Sequence, residues 1–336
     1  MKRLLVFLLL LIHPASAAAA ADDGWHEAFV SVADLDERIA FFRDVIGWEV
    51  VDRRAVSRSQ LEAWRLPPGA AAQTALVRSP GAGRGTIRLI AFGDVPEAGR
   101  IRSSARPWDA GGWAGLNVRV RSIDAVFARL QRAGWQGFSE PVTFTVPPYR
   151  VREVMVVGPD GLTLSLIERL DPPLQADWAS LWSPAVTVFE ADVDPAASKA
   201  FYGDLLGLQP WLDYEGAAAE PGMNLFGLPH DVVGRVTRHV RWWREGGRGD
   251  GTISTLAFRN IVGRRFLGET LGPPGLGLFL IAMPVSDAAE RCGRLAGRGV
   301  RLIRPAAVVD RPGTGARMSC TVETPSGSWL ELYSSR

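Results

Sequence analysis

The chain has 336 residues, of which 47% are apolar and 22% are charged, and its formal net charge is +2. The apolar share is sufficient for sizeable cores, and the length corresponds to about two domains of ordinary size. The nearly balanced charge lacks the basic footprint of a nucleic-acid-binding protein, so we expect no nucleic-acid partner.

The first residues have the pattern of a secretory signal peptide over 1–21. Lys2 and Arg3 form a positive start, an apolar run covers 4–12, and 15–17 read Ala-Ser-Ala, which suits signal peptidase. The apolar run is shorter than the about 20 residues that span a bilayer. We therefore predict a periplasmic or secreted protein with no stable membrane insertion after cleavage. An uncleaved anchor is the alternative.

The only cysteines are Cys292 and Cys320, and their spacing does not form a metal motif. We interpret them as two buried, small apolar residues. A disulfide between them is the alternative, because export to an oxidising compartment permits one.

A helical segment near the start of the chain recurs in its second half. Residues 34–47 match 194–207: each begins with Asp, continues with an apolar stripe and ends with Gly. Asp is a good N-cap, and Gly suits the left-handed position after a helix. Each helix follows an apolar or alternating run, 28–32 or 185–189, which indicates a strand.

A second pair of units has the same plan. The units predict strands over 115–120 and 276–283, helices over 123–133 and 286–296, and turns at 159–161 and 325–327. The order strand, helix and three strands thus occurs four times, which predicts an α+β fold of βαβββ modules. We expect a first domain over 24–170, a linker over 171–182 and a second domain over 183–336. Each domain would close an eight-stranded, cup-like mixed sheet with helices on its outer face.

These patterns resemble the vicinal oxygen chelate superfamily of glyoxalases, bleomycin resistance proteins and extradiol dioxygenases. The resemblance rests on a strand, Asp-Leu at 34–35, a helix with Phe-Phe at 41–42 or Phe-Tyr at 201–202, and Pro-Asp-Gly at 159–161 before the last strand of a module. The similarity covers nearly the whole mature chain and implies the fold more specifically than the reaction.

The resemblance implies a divalent ion in each cup, held by His, Glu or Gln of first and fourth strands. The matching positions are Glu27, Arg88, Gly115 and Ser165 in the first half, and Thr187, Ser254, Leu280 and Glu331 in the second. Because Arg carries a permanent positive charge, we expect a Glu27–Arg88 ion pair in place of a metal. We therefore expect no cofactor. The alternative is one divalent ion with His26, Glu27 or Glu331 among its ligands.

Several further side chains alternate onto the same side of their strands as those positions. They are Phe29, Asn117, Arg119, Phe189 and Trp329. An aromatic wall suits a flat or apolar organic molecule. Ordinary core packing, and solvation for Arg119, is the alternative.

The sequence thus favours a protein that binds a small organic molecule in a metal-poor cup. One alternative is a metal-dependent lyase or extradiol-type dioxygenase, and another is a non-catalytic interaction protein. Because one chain carries four modules, a monomer can supply both cups, although a dimer also stays open.

Overall fold

A computed structural model describes most of the chain, namely residues 24–146, 148–174, 181–217, 222–246 and 251–335, without the side chain of Glu269. The predicted signal peptide, 1–21, lies outside the described residues, as do residues 175–180 of the predicted linker. Within the described ranges, no helix is long and apolar enough to cross a membrane.

The secondary structure repeats one plan four times. The first module comprises β1 (Glu27–Ser31), α1 (Leu35–Ala40) with a π-helical continuation (Phe41–Ile46), β2 (Glu49–Ala55), α2 (Arg58–Ala63), β3 (Ala71–Arg78) and β4 (Thr86–Gly93). The second comprises β5 (Trp113–Val120), α3 (Ile123–Arg132), β6 (Gln136–Gly137), β7 (Val142–Val146), β8 (Tyr149–Val157) and β9 (Thr163–Asp171).

The third and fourth modules follow the same order. The third comprises β10 (Trp182–Ala191), α4 (Pro195–Ser198) with a π-helical continuation (Lys199–Leu205), β11 (Gln209–Gly216), β12 (Thr237–Arg244) and β13 (Thr252–Arg259). The fourth follows a 3₁₀ turn (Gly268–Leu271) and comprises β14 (Gly277–Val285), α5 (Ala288–Gly297), β15 (Leu302–Arg311), β16 (Gly315–Glu323) and β17 (Trp329–Ser334). The predicted α+β architecture of four βαβββ modules is confirmed.

The repeated helices begin and end as the sequence predicts. The Asp34 carboxylate accepts a hydrogen bond from the Glu37 amide at 2.9 Å, and Asp194 accepts from the amides of Ala196 and Ala197. These bonds satisfy donors that the first turn leaves free. Gly47 has a φ of +81°, the left-handed conformation that lets the chain leave the helix.

The modules do not pair within each half of the chain. The first sheet has the order β15-β16-β17-β14-β1-β4-β3-β2, so the first module pairs with the fourth. The second sheet has the order β11-β12-β13-β10-β5-β9-β8-β6, with β7 against β8, so the second module pairs with the third. The grouping into a first-half cup and a second-half cup is therefore wrong. The predicted and the observed pairings use the same four modules. Only contacts between segments that are distant in sequence distinguish one pairing from the other.

Each sheet has one face toward the helices and one face away from them. A large core joins helical residues such as Ile39 and Phe42 to strand residues such as Val30 and Leu89. The opposite faces carry two separate apolar clusters. We call the face away from the helices the first cup on the first sheet and the second cup on the second sheet.

The two cysteines are joined. Cys292 of α5 and Cys320 of β16 form a disulfide, and both are buried. The expected burial is confirmed, whereas the favoured interpretation as unpaired residues is wrong. The bond ties α5 to the sheet that it covers.

Candidate functional site

The first cup contains an ion pair between Glu27 of β1 and Arg88 of β4. Arg88 Nε donates to Glu27 Oε1 at 2.6 Å, and Nη2 donates to Oε2 at 3.3 Å, a bidentate arrangement. Arg88 Nη1 reaches Asp52 Oδ2 of β2 at 3.4 Å. The Arg88 side chain is 1% exposed, so the pair is shielded from water. The ion pair predicted in place of a metal is present.

A second buried ion pair joins Arg311 of β15 to Glu331 of β17. Arg311 Nε lies 3.1 Å from both carboxylate oxygens, and Nη2 lies 3.0 Å from Oε2. Burial lowers the pKa of Arg311, but attraction from Glu331 and Glu27 outweighs that effect, so the pKa is raised above its usual value. Its guanidinium also lies 3.8 Å from the ring centre of Tyr333.

Arg311 was not predicted, because no motif surrounds it. The available signal was its place at the start of the tight Arg-Pro-Gly-Thr-Gly turn over 311–315, two strands away from the strand that carries Glu331. That turn closes over Arg88: a Cβ added to Gly313, whose φ is +80°, would lie 2.9 Å from Arg88 Nη2. Glycine is therefore required for both the turn and the close approach.

The turn is also bound to the first module. Ser57 Oγ donates to the Asp310 carbonyl at 2.8 Å, and the Asp310 amide donates to Ser59 Oγ at 3.2 Å. Ser57 is also the N-cap of α2. The fourth module is thus anchored over the first cup by hydrogen bonds to the start of α2.

Aromatic side chains occupy the rest of the first cup. Trp64 follows α2 and packs edge to face on Phe29 and Phe279, with ring centres 5.8 and 5.6 Å apart. A β-bulge in β14 leaves Phe279 without a partner on β1, because Phe29 pairs with Leu280 while Val30 pairs with Leu278. Phe279 and Leu280 therefore both pack on the cup face, although they are adjacent in the chain. The predicted cup residues Phe29, Leu280 and Trp329 all belong to this packed cluster.

The donor set of the first cup does not fit a divalent ion. A metal needs several nitrogen or oxygen donors converging at about 2 Å. Glu27 and Glu331 each accept from a buried guanidinium, and Leu280 offers no donor. Nowhere in the described part of the chain do three or more His, Cys, Asp or Glu side chains converge as a metal site would require.

The second cup has a neutral polar floor. Asn117 of β5, Ser165 of β9 and Thr187 of β10 occupy registered positions on neighbouring strands, and all three are buried. Gly115 pairs with Phe189, which itself pairs with Ser254 of β13, also buried. Glycine and hydroxyls thus stand at the four positions that the family resemblance assigns to metal ligands, which is a poor set for a dication.

Glu153 of β8 joins this floor and was not predicted. Ser165 Oγ donates to its carboxyl, and within the described residues only burial and this hydrogen bond act on it, with no cation as a partner. Burial raises the pKa of Glu153 to about 7, and the Ser165 hydrogen bond only partly opposes that shift. A charged residue in the apolar run of β8 was the available signal. Asn117 Oδ1 is likewise buried, with no hydrogen-bond partner among the described residues.

A long loop between β11 and β12 covers the polar floor. Its residues Phe226, Leu228, Val233 and Val236 form one cluster with Met155 and Phe189. Asn224 shapes the loop, since its side chain donates to the Leu228 carbonyl at 2.8 Å and accepts from the amides of Phe226 and Leu228. This loop therefore fills the second cup, as Trp64 fills the first.

The remaining candidates lie outside both cups or at their rims. Arg119 is half-buried on β5, and its amide donates to Ser183 Oγ. His26 is half-buried, and its Nδ1 lies 3.3 Å from the Tyr333 hydroxyl. Glu190, a further buried carboxyl that lies outside the predicted site, points toward the helices, where it accepts from Tyr202 at 2.8 Å, and burial raises its pKa to about 7.

A cavity of about 600 Å³ lies at the rim of the second cup. Its apolar wall consists of Trp108, Pro229, Val232, Val236, Ile261 and Val262. Arg106, Arg235 and Asn260 supply its polar groups. Val232 and Val236 belong both to this wall and to the cluster over the polar floor. None of these residues was predicted, because they come from three connecting segments without a repeated pattern.

Comparison with known families agrees with this architecture. The profile of the Glyoxalase/Bleomycin resistance protein/Dioxygenase superfamily matches residues 24–166 and 190–332, which is most of the chain. The chain belongs to this superfamily. No curated protein sequence matches it.

Solved structures of the superfamily share the fold at low sequence identity. A mutant of glyoxalase I from Zea mays is 15% identical with a TM-score of 0.61, and the match covers 94% of this chain and 93% of that one. A candidate dioxygenase from Bacillus subtilis is 14% identical with a TM-score of 0.59, covering 94% and 86% of the two chains. At such identities the likeness establishes the fold alone.

Removing one member of the second ion pair should be strongly destabilising. We expect Arg311→Met to lower the free energy of unfolding by about 3–5 kcal/mol, because Glu331 is left buried and unpaired. The double variant Arg311→Met/Glu331→Leu should recover most of this loss. Urea denaturation measures both, with exposed Arg298→Met as the control; equal losses in the single and double variants would contradict the assignment.

Glu153 should make stability depend on pH. Its folded-state pKa of about 7 lies above the ordinary value of 4.5, so the folded state holds a proton that the unfolded state releases. The contribution of Glu153 to the free energy of unfolding is thus fully present below about pH 4.5. It is lost as the pH rises to about 7, by on the order of 3 kcal/mol. Relative to wild type, Glu153→Gln should gain stability across that window in denaturant titrations, whereas exposed Glu62→Gln should not. A difference that is constant with pH would refute the buried, protonated carboxyl.

Proposed function

We propose that this superfamily member binds a small organic molecule without using a metal ion. The observation that carries the proposal is that both carboxylates at the family's metal-ligand positions in the first cup, Glu27 and Glu331, are engaged by buried guanidinium groups of Arg88 and Arg311. A dication there would have to displace both cations, each of which would then lose its partner in a buried site.

The packing of the two cups indicates where a ligand binds. The first cup is filled by Trp64 and its aromatic neighbours, so we assign it a structural role. The second cup has a neutral polar floor, an apolar cover and an adjoining cavity of about 600 Å³. That volume lies in the range of about 300–1,000 Å³ typical of small-molecule sites. The proposed ligand therefore binds on the side of the second sheet.

Metal titration tests the proposal against the alternative of a metal-dependent lyase or dioxygenase. Purified protein should contain no stoichiometric metal, and Zn²⁺, Mn²⁺, Ni²⁺ or Fe²⁺ should leave its melting temperature unchanged. A site-specific ion would instead stabilise the folded state in proportion to its occupancy. One equivalent of tightly bound metal in the wild type, lost on replacing Glu27 or Glu331, would reject the proposal.

A designed variant provides the positive control. Arg88→His and Leu280→His combined with Arg311→Ala would place two imidazoles beside Glu27 and Glu331, a donor set suited to Zn²⁺. We expect Zn²⁺ to raise the melting temperature of this variant but not that of the wild type. Circular dichroism checks that the variant is folded before the comparison is made.

We also propose that the protein is exported. The signal-like pattern over 1–21 supports this, and so does the buried Cys292–Cys320 disulfide, because disulfides persist mainly in oxidising compartments.

Fractionation of bacterial cells that express the full chain tests the export. We expect the protein in the periplasm or medium with its first 21 or so residues removed, as determined by mass spectrometry. A variant with Leu8→Arg and Leu10→Arg, which interrupts the apolar run, should stay in the cytoplasm at full length. Full-length wild-type protein in the cytoplasm would contradict the proposal.

A further inference from the structure

The rim cavity combines an apolar wall with cationic groups. Its polar groups are two arginines and one asparagine, and no acidic side chain contributes to its lining within the described residues. Whatever enters the cavity therefore meets two positive charges and an amide against a surface of aliphatic and aromatic carbon. An anion is favoured over a cation or a neutral molecule of the same size.

Arg106 is held in place before any ligand arrives. Its Nη2 donates to Asp109 Oδ1 at 2.8 Å, and its guanidinium lies 5.0 Å from the ring centre of Trp108. Burial raises the pKa of Asp109, but hydrogen bonds from Arg106 and Arg264 outweigh that effect and lower the pKa to about 2. The carboxylate stays ionised and fixes the arginine, whose side chain remains 45% exposed for a further contact. Such preorganisation reduces the entropy lost on binding.

The opposite side of the cavity is tied to the second cup. Asn260 Nδ2 donates to the Arg235 carbonyl at 3.1 Å, which joins the end of β13 to the loop over the polar floor. The Arg235 side chain is exposed at this junction. Val262, the next residue but one after Asn260, is 90% exposed despite its apolar side chain. Together with Trp108 and Ile261, Val262 forms an apolar wall beside the two arginines of the cavity.

We propose that this cavity binds a small amphipathic organic anion, whose aromatic or aliphatic part lies on Trp108, Ile261 and Val262 and whose carboxylate, sulfonate or phosphate accepts from Arg235 and Arg106. The inference rests on the proposed small-molecule binding and adds the location and the charge of the ligand. Guanidinium groups recognise such oxyanions by charge-assisted hydrogen bonds.

Two fluorescent dyes with a shared aromatic skeleton test the charge. Anilinonaphthalene sulfonate carries an anionic group, and phenylnaphthylamine is its neutral counterpart. We expect Arg235→Gln to raise the dissociation constant of the sulfonate about fivefold, as for a partly exposed charged contact, and to change that of the neutral dye less than about twofold. The matched control Arg298→Gln, at an exposed site after α5, should affect neither dye.

A second pair of variants tests the location. Val262→Trp should fill the mouth of the cavity and weaken both dyes at least about fivefold, while Val308→Trp, at a 62% exposed site on β15, serves as the matched control. Because both sites are exposed, the folded state should tolerate either substitution.

The outcomes separate this inference from the proposed function. Equal binding of both dyes, with no selective effect of Arg235→Gln, overturns the anionic class while small-molecule binding stands. Sulfonate binding that is insensitive to Val262→Trp overturns the location, and failure of both dyes to bind overturns the cavity as a site. None of these three results alters the metal titration. Stoichiometric metal at Glu27 and Glu331 would instead reject the proposed function and leave the dye results intact.

Discussion

Neutralisation of buried charge in the first cup is the constraint on which the rest depends. Glu27 and Glu331 are buried carboxylates, and Arg88 and Arg311 pair with them in bidentate or near-bidentate geometry. The resemblance to the superfamily implies a divalent cation in this cup. Here the two guanidinium groups, each with a single positive charge, supply the same total charge. Because each guanidinium also has its own position in the packing, removing one of them leaves a buried carboxylate rather than an open site. Both of these carboxylates are therefore engaged by the protein's own cations.

The pairing of modules explains how both cups are filled. Each sheet combines a module whose second and third strands are joined by a long connection, which includes 56–70 or 222–236, with a module in which a tight hairpin joins the equivalent strands. The long connection brings bulky apolar residues over the sheet, Trp64 in the first cup and Phe226 in the second. The tight hairpin of the fourth module then fits over the first cup, where its Gly313 touches Arg88. Pairing two modules of the same kind would leave either two long loops competing for one cup or none to fill it.

Local features of this fold were predictable from the sequence, and distant contacts were not. The Asp caps, the apolar stripes and the glycines after the helices act within a few residues, so the four modules followed from them. The Glu27–Arg88 pair was also predictable, because both residues belong to adjacent strands of one module. The partnership of β1 with β14 depends on segments far apart in the chain, which no periodicity records. Arg311 lies only 20 residues before Glu331, but no motif surrounds it and β16 separates their two strands. Glu153 was detectable in principle, since it interrupts the apolar residues of β8 on the face opposite the helices.

The second cup differs from the first in the state of its polar groups. Each carboxylate at the metal-ligand positions of the first cup has a cationic partner. In the second cup, Glu153 has only a hydroxyl partner, and Asn117 Oδ1 has no hydrogen-bond partner among the described residues. An unsatisfied buried group costs about 1–3 kcal/mol, so this floor is a poor solution for stability alone. The loop that covers it shares Val232 and Val236 with the wall of the rim cavity, so a ligand that displaces this wall also reaches the cover of the floor. The same fold thus pairs the carboxylates of one cup with arginines and keeps incompletely bonded polar groups in the other, which is the side where we propose that a ligand binds.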